Sequence, residues 1–222
     1  MSYLLRLVVS DRPGMLGAVA TAIGMTGADI ISIDVVERAL GYAVDDLVIE
    51  LAPGGQPDGL ITAAQSVPDV RVESVRPFSG PSDTHRELAL IDALAGHSCQ
   101  VAALMADEVP RIFRSGWAVV LRENGVVPFL DATSPAAPGF DGISLPWFPM
   151  DQAAVLDPDE AWVPEAWSTL GTAMMAAPLG PQRAVLVGRP GGPEFRPSEL
   201  LRLAHLAGIA ATVADGGRAH PR

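Results

Sequence analysis

The residues of this chain that are best suited to chemistry form a short turn near its start. Residues 11–17 have the sequence DRPGMLG and stand between an apolar run, 4–9, and a helical pattern. A strand that enters a helix through a Pro-Gly turn leaves several backbone N–H groups without intrahelical partners. Those groups and the helix dipole attract a small anion, such as an amino-acid carboxylate. Asp11 could bind the ammonium group of the same molecule, so the segment predicts a site for a small zwitterion.

The residues of this turn also have plain structural explanations. Asp11 could instead cap the first helix or stabilise the turn. Gly14 could let a ligand approach the backbone, or it could merely allow the turn to form. Arg12 could pair with a ligand carboxylate, although an exposed Arg beside an Asp is more often solvated. The residue types alone leave these alternatives open.

The other reactive side chains offer less. Cys99 is the only cysteine and follows His97 by two residues, which on a helix point to different sides, so a structural cysteine is favoured over a thiolate nucleophile. Asp157, Asp159 and Glu160 favour a solvated cluster over a hydrolytic pair, which needs acids from different elements. Neither a phosphate-binding glycine loop nor zinc-ligand spacing is present. We therefore expect no catalytic residue, metal or cofactor.

Composition narrows the function classes further. The chain has 222 residues and a net charge of −11, and it contains no lysine. An acidic field repels phosphate backbones, so nucleic-acid binding is not expected. The start of the sequence lacks the basic and apolar regions of a signal peptide, and the apolar stretch 203–214 is too short to span a bilayer. These features predict a cytoplasmic protein without a membrane partner.

The first eighty residues predict a compact α+β domain. Leu16, Val19, Ala20 and Ile23 share one helical face, whereas apolar and polar residues alternate over 31–36. The predicted elements are strand 3–9, a helix over 16–23, strand 31–36, strand 44–51, a helix over 60–67 and strand 70–73. This βαββαβ order predicts a ferredoxin-like antiparallel sheet with two helices on one face. The other face, or an edge, is then left for a partner subunit.

A Pro- and Gly-rich break at 77–82 separates this domain from a second one. The predicted division is a first domain over 1–79, a linker over 80–83, a second domain over 84–215 and a disordered tail over 216–222. The second domain is predicted to contain helices over 84–95 and 99–112, a hairpin of 117–122 with 126–131 around Asn124-Gly125, a proline-rich loop over 132–149, a helix over 160–170, a hairpin of 172–178 with 183–188, and a helix over 198–214 with Ser198 as its N-cap. All four tryptophans lie in this half, and packing is favoured over pocket lining for them.

The first half resembles an ACT domain. The resemblance is carried by the strand at 4–9, by the turn at 11–16, by the sequence GADI at 27–30 and by the βαββαβ order. ACT domains are regulatory modules that bind amino acids or similar small molecules between paired domains. The resemblance implies that the turn contacts ligand and that the start of strand two from a neighbouring domain completes the site. The implied ligand-binding residues are Asp11, Arg12, Pro13, Gly14, Met15, Leu16, Asp29 and Ile30.

The second half resembles a GAF-type domain in three places. These are the sequence LGTAMMAAPL at 170–179, the sequence AVLVG at 184–188, and Phe195 followed by the terminal helix. GAF domains are small-molecule sensors with a six-stranded sheet and a pocket on one face. Together the two resemblances imply a non-catalytic regulatory homodimer that binds a small ligand, for which an amino acid is the first expectation, and that meets a metabolic enzyme or regulatory protein.

Two other functions stay open from the sequence. The second half could hold a catalytic site that the first half regulates. The sequence shows no convergent nucleophile and base there, and a requirement for a metal or cofactor would favour this hypothesis. The chain could also be a purely structural partner subunit of a metabolic enzyme. Stable co-purification with an enzyme, independent of any amino acid, would favour this last function.

Overall fold

The protein divides into two compact units, Met1–Asp83 and Thr84–Arg222, in a computed structural model. The structure describes residues 1–78, 86–125 and 127–218. The predicted linker over 80–83 lies outside the described residues. The same holds for Val126, where a strand was predicted to begin, and for residues 219–222 of the predicted tail.

The first unit contains four strands and two helices in its described part. They are β1 (Ser2–Ser10), α1 (Met15–Gly24), β2 (Asp29–Ala39), β3 (Tyr42–Glu50), α2 (Pro57–Gln65) and β4 (Val70–Phe78). The predicted βαββαβ element order is confirmed. The strands form one antiparallel sheet in the order β2-β3-β1-β4.

Two helices cover one face of this sheet because apolar residues recur at every second position of the strands and at every third or fourth position of the helices. Alternate residues of β1 and β3 point to the helices, and residues three or four apart on each helix point back. The cluster comprises Leu5, Leu7, Val9, Val19, Ile23, Ala28, Ala43, Leu47, Ile49, Leu60 and Ala64. All are nearly or fully buried, so this cluster is the core of the unit.

A buried ion pair joins the two central strands of the first unit. Arg6 on β1 lies directly opposite Asp46 on β3, and their side chains are only 1% and 2% exposed. Nε and Nη2 of Arg6 donate to Oδ1 and Oδ2 of Asp46 at 2.7 and 2.9 Å. A slip of one residue between the strands would separate Arg6 from Asp46 and leave the Asp46 carboxylate buried without this arginine. The pair therefore specifies the register of β1 against β3.

The second unit is a five-stranded antiparallel sheet with helices, counted over its described residues. Its elements are α3 (Arg86–Gly96), a 3₁₀ turn (Ser98–Gln100), α4 (Val101–Ile112), β5 (Trp117–Arg122), β6 (Phe129–Thr133), β7 (Ala154–Leu156), α5 (Glu165–Ser168), β8 (Ala173–Pro178), β9 (Arg183–Arg189) and α6 (Pro197–Arg218). The strand order is β6-β5-β9-β8-β7. The GAF resemblance implied six strands, so the described part has one fewer.

Both faces of the second sheet are packed. Helices α3, α4 and α6 cover one face over a cluster that includes Leu94, Met105 and Leu203. The proline-rich segment between β6 and β7 covers the other face with aromatic side chains. Trp167 is fully buried there, 5.9 Å from the ring of Trp117, and its indole N–H donates to a backbone carbonyl. The predicted packing role of the tryptophans agrees with this arrangement.

Gly188 leaves room for one of these tryptophans. It pairs with Trp117 across β5 and β9, and the indole lies over its Cα. A Cβ at position 188 would come within 2.1 Å of the Trp117 ring. Any residue other than glycine at position 188 would therefore displace the buried ring of Trp117.

A buried arginine connects four segments of the second unit. Arg189, at the end of β9, is 0% exposed and pairs with Glu199 of α6 at 2.6 Å. Its Nη2 donates to the carbonyl of Phe113 at 2.7 Å, and its Nη1 donates to the carbonyl of Pro193 at 3.2 Å. The guanidinium also lies 4.0 Å from the ring centroid of Phe195. One cation therefore links β9, the end of α4, the loop before α6 and the start of α6.

Two local predictions for the second unit were wrong, and one strand was not predicted. Ser198 does not cap α6, because the helix begins one residue earlier at Pro197 and Oε2 of Glu199 accepts the N–H of Arg196 at 2.9 Å. The helix predicted over 160–170 covers only Glu165–Ser168, since Pro164 precedes it and Leu170 has a positive φ of 63°. The three-residue strand β7 lies where no element was predicted.

One further observation concerns membranes. Among the described residues no single helix is both long and apolar enough to cross a bilayer, and one bent pair, Arg86–Gly96 with Ser98–Ile112, meets the length and composition test.

Candidate ligand-binding site

The predicted turn is an exposed corner between β1 and α1. Residues Asp11, Arg12, Pro13 and Gly14 are all exposed, whereas the side chain of Met15 is buried. Gly14 occupies the N-cap position of α1 with φ 90°, a left-handed conformation that strongly favours glycine. No side chain caps the helix, and its first turn contains no acidic residue. The backbone at this corner therefore keeps the polarity that attracts anions.

Asp11 stabilises the corner through a long-range contact. Its Oδ2 accepts from Nε of Arg38 on β2 at 2.8 Å, and its backbone N–H donates to the carbonyl of Gly41 at 3.2 Å. The hydrogen bond with Asp11 raises the pKa of the Arg38 guanidinium. Of the two structural roles weighed for Asp11, capping of α1 is excluded because Gly14 occupies the N-cap, and stabilisation of the turn fits the contacts. The Asp11 side chain remains 27% exposed.

Arg12 does not pair with its neighbour Asp11. Its Nη2 lies 2.9 Å from Oδ2 of Asp69, in the loop before β4, and its Nε donates to Sδ of Met15 at 3.2 Å. Both partners of the Arg12–Asp69 pair are more than half exposed, so the pair adds little stability. It does orient the Arg12 guanidinium along the corner.

The backbone amides expected to hold a carboxylate differ in their contacts. The N–H of Met15 donates to the carbonyl of Arg12 at 3.3 Å, so a ligand would have to compete with that contact. The N–H of Ala18 donates to the carbonyl of Gly14 at 2.9 Å and closes the first helical bond. The side chain of Leu16 is 36% exposed on the same turn.

Asp29 and Ile30 lie far from this corner within one chain. Asp29 starts β2 opposite Glu50, while Ser10, next to Asp11, lies opposite Tyr42 at the other end of β3. The nine residues of β3 span roughly 27 Å at about 3.4 Å per residue. The structure thus does not bring the two groups together in one protomer, and their meeting stays a prediction about a neighbouring domain.

Sequence reasoning missed a buried acid next to the site. Asp45 on β3 is 4% exposed, and its Oδ1 has no hydrogen-bond partner among the described residues. Burial raises the pKa of the Asp45 carboxyl, and the charges of Asp46 and Asp11 raise it further. Two adjacent acids inside an apolar strand were the signal that could have indicated it.

The described part of the second unit does not form a catalytic site from its cysteine and histidine or from its acidic loop. Cys99 is exposed in the 3₁₀ turn, which contradicts the structural role expected for it. Nδ1 of His97 lies 3.1 Å from the carbonyl of Ala93. Asp157, Asp159 and Glu160 are exposed, as expected for a solvated cluster. Within the described part of the chain, no group of three or more metal-ligating side chains is present.

Solved structures match this chain, whereas the comparison with protein families finds no match. No protein-family model matches the sequence, and no curated protein matches it significantly. The ACT domain from GTP pyrophosphokinase of Chlorobium tepidum matches 34% of this chain and 95% of its own at 22% identity, with a TM-score of 0.26.

Two other solved structures match at lower identity. A formyltetrahydrofolate deformylase from Pseudomonas putida matches 44% of this chain and 38% of its own at 10% identity and a TM-score of 0.30. An unknown protein from Galdieria sulphuraria matches 97% of this chain and 92% of its own at 11% identity, with a TM-score of 0.34. An ACT-domain structure is thus among the solved structures that match this chain, and these matches establish no family.

Proposed function

We propose that this chain is a regulatory protein whose first unit is an ACT-like, ferredoxin-type domain that binds an amino acid at the corner between β1 and α1. The observation that carries the proposal is the exposed corner itself. It combines an uncapped helix start at Gly14 with an accessible carboxylate at Asp11, and these groups match the two charges of a zwitterion. The second unit, for which a GAF-like sensor is the candidate, would transmit or receive the signal.

The same proposal includes a homodimer that covers the β2 edge. Strand β2 is at one edge of the sheet, and Ile31, Ile33 and Val35 on it are 48%, 37% and 59% exposed. An exposed row of aliphatic side chains on an edge strand favours association with another chain. A second copy placed there would bring its own β2, with Asp29 and Ile30, towards the first copy and so offers a route by which the neighbour completes the site.

Ligand would act in this arrangement through differential affinity. An amino acid that contacts both copies stabilises the arrangement in which Asp11 of one copy and Asp29 of the other are correctly placed. The partner, a metabolic enzyme or regulatory protein, would respond to that arrangement.

The test is calorimetric titration of the full chain with the proteinogenic L-amino acids, one at a time. Asp11→Asn removes the charge that binds the ammonium and should weaken binding about tenfold or more, which corresponds to the loss of one charge-assisted hydrogen bond. Arg38→Gln is the matched control, because it breaks the same Asp11–Arg38 ion pair but keeps the carboxylate. An equal loss of affinity in both variants would show that Asp11 acts only through its structural contact with Arg38. The absence of binding heat with every amino acid would refute amino-acid binding.

A further inference from the structure

An open cleft in the second unit collects positive charge in a chain that is acidic as a whole. Its volume is about 440 Å³. One wall is the 3₁₀ turn with the first turn of α4. The other contains Arg122 at the end of β5, Arg183 at the start of β9 and Asp131 in the middle of β6. This cleft belongs entirely to the second unit and shares no residue with the corner described above.

The two arginines form ion pairs with one carboxylate. Oδ2 of Asp131 lies 2.7 Å from Nε of Arg183 and 3.1 Å from Nη2 of Arg122. Two guanidiniums against one carboxylate leave a net charge of about +1, and each guanidinium has more N–H donors than a single oxygen can accept. The side chain of Arg183 is 16% exposed and that of Arg122 is 35% exposed. The cluster is therefore positioned in advance and still open to solvent.

The start of α4 adds to the same field. Gln100 occupies its N-cap position without a side-chain cap, and its first turn contains no acidic residue. The uncapped amides of a helix carry partial positive charge. Guanidinium groups and helix amides together match the oxygens of a phosphate better than an arginine cluster alone. The cleft is larger than a bare phosphate, so it has room for the rest of a phosphorylated molecule.

We propose that this cleft binds the phosphate group of a small phosphorylated metabolite. The two arginines bind the phosphate oxygens, and the start of α4 provides backbone donors from the opposite wall. This binding site is independent of the amino-acid site in the first unit, and a failure of either proposal leaves the other standing.

Cys99 offers a direct readout of the cleft. It lines the cleft, it is exposed, and it is the only cysteine of the chain. The ratio of its alkylation rates with iodoacetate and iodoacetamide measures the local potential, since both reagents need the same thiolate. We expect this ratio to exceed that of a free cysteine peptide and to fall in Arg183→Gln. A ratio equal to that of the peptide would contradict the positive field.

The binding test uses inorganic phosphate as the probe. Phosphate should slow the alkylation of Cys99 by iodoacetamide in the full chain, whereas chloride at equal ionic strength should not. Arg183→Gln should require about tenfold more phosphate or more for the same protection. Acetate that protects as well as phosphate would overturn the preference for a phosphate group.

A second variant keeps the test valid if the arginine substitution disturbs folding. Ala103 is exposed on the first turn of α4 and lines the cleft. Ala103→Glu places a carboxylate where the ligand anion would lie, and an acid at this position suits a helix. We expect it to abolish protection by phosphate, while the neutral Ala103→Gln retains it within about twofold. Equal protection in the wild type and in both variants would refute the proposed site.

Discussion

Replacing Arg189 with methionine should destabilise the second unit far more than a typical surface substitution. The arginine is fully buried, and its removal takes the Arg189 guanidinium away from Glu199, whose side chain is 3% exposed. Loss of one partner from a buried ion pair costs about 3–5 kcal/mol. The carbonyls of Phe113 and Pro193 lose donors as well, and each unsatisfied buried acceptor adds to the cost. Against total stabilities of about 5–15 kcal/mol, this is a large share.

The chain provides both an optical probe and a matched control for this experiment. All four tryptophans lie in the second unit, so urea unfolding followed by tryptophan fluorescence reports that unit. Arg111 on α4 also forms ion pairs, with Asp107 at 2.9 Å and with Glu108 at 2.7 Å, but it is 47% exposed. Arg111→Met should cost no more than about 1 kcal/mol, because exposed ion pairs contribute little.

A double variant separates the buried charge from the lost contacts. Arg189→Met with Glu199→Leu removes both charges and should be more stable than Arg189→Met alone. It should stay below the wild type, because Glu199 also accepts the N–H of Arg196 at the start of α6. Equal losses in Arg189→Met and Arg111→Met, or a double variant less stable than Arg189→Met, would refute the reasoning from burial.

Two further predictions concern single positions. Gly188→Ala should cost the second unit about 3 kcal/mol or more, because the added Cβ meets the buried Trp117 ring; a tryptophan-monitored unfolding midpoint equal to that of the wild type would contradict this packing. Asp45→Asn should stabilise the first unit at neutral pH, because burial raises the pKa of Asp45 above its unfolded value. The contribution of Asp45 to the stability of the wild type is then greatest below the unfolded pKa of about 3.9 and is lost as the pH rises through the folded pKa, so the advantage of Asn should shrink in acid. Hydrogen exchange of the β3 amides measures this difference, and an advantage that is independent of pH would contradict it.

The element order of the first unit could be predicted because each element has its own local signal. The 3.6-residue period over α1, the alternation in β2 and the Pro-Gly turn before α1 all depend on neighbouring residues. The Asp11–Arg38 contact could not be predicted, since it depends on how the β2–β3 hairpin folds back onto the end of β1. Asp45 was visible as an acid within an apolar strand, but the sequence does not tell whether such an acid has a partner.

The second unit was harder to predict for the same physical reason. Its central arginine gathers contacts from Phe113, Pro193, Phe195 and Glu199, which approach Arg189 only after the sheet and helices have assembled. The cleft near Cys99 likewise combines strand ends and a helix start that are far apart in sequence. A short helix such as α5 depends on where Pro164 and the positive φ of Leu170 interrupt it, and periodicity over a window does not resolve that.

The irregular edges of the first sheet limit how many copies can join through it. The register of β2 against β3 shifts after Ile30 and again after Val35, and the opposite edge strand, β4, contains Pro77, which has no N–H to donate. Pairing of β2 with β4 of the next copy would extend the sheet without end, as in a fibre, and Pro77 on β4 opposes this pairing. When β2 of one copy pairs with β2 of another, the two copies are related by a two-fold axis and the assembly is closed at two copies. The sheet edges therefore disfavour polymerisation and are compatible with a closed pair.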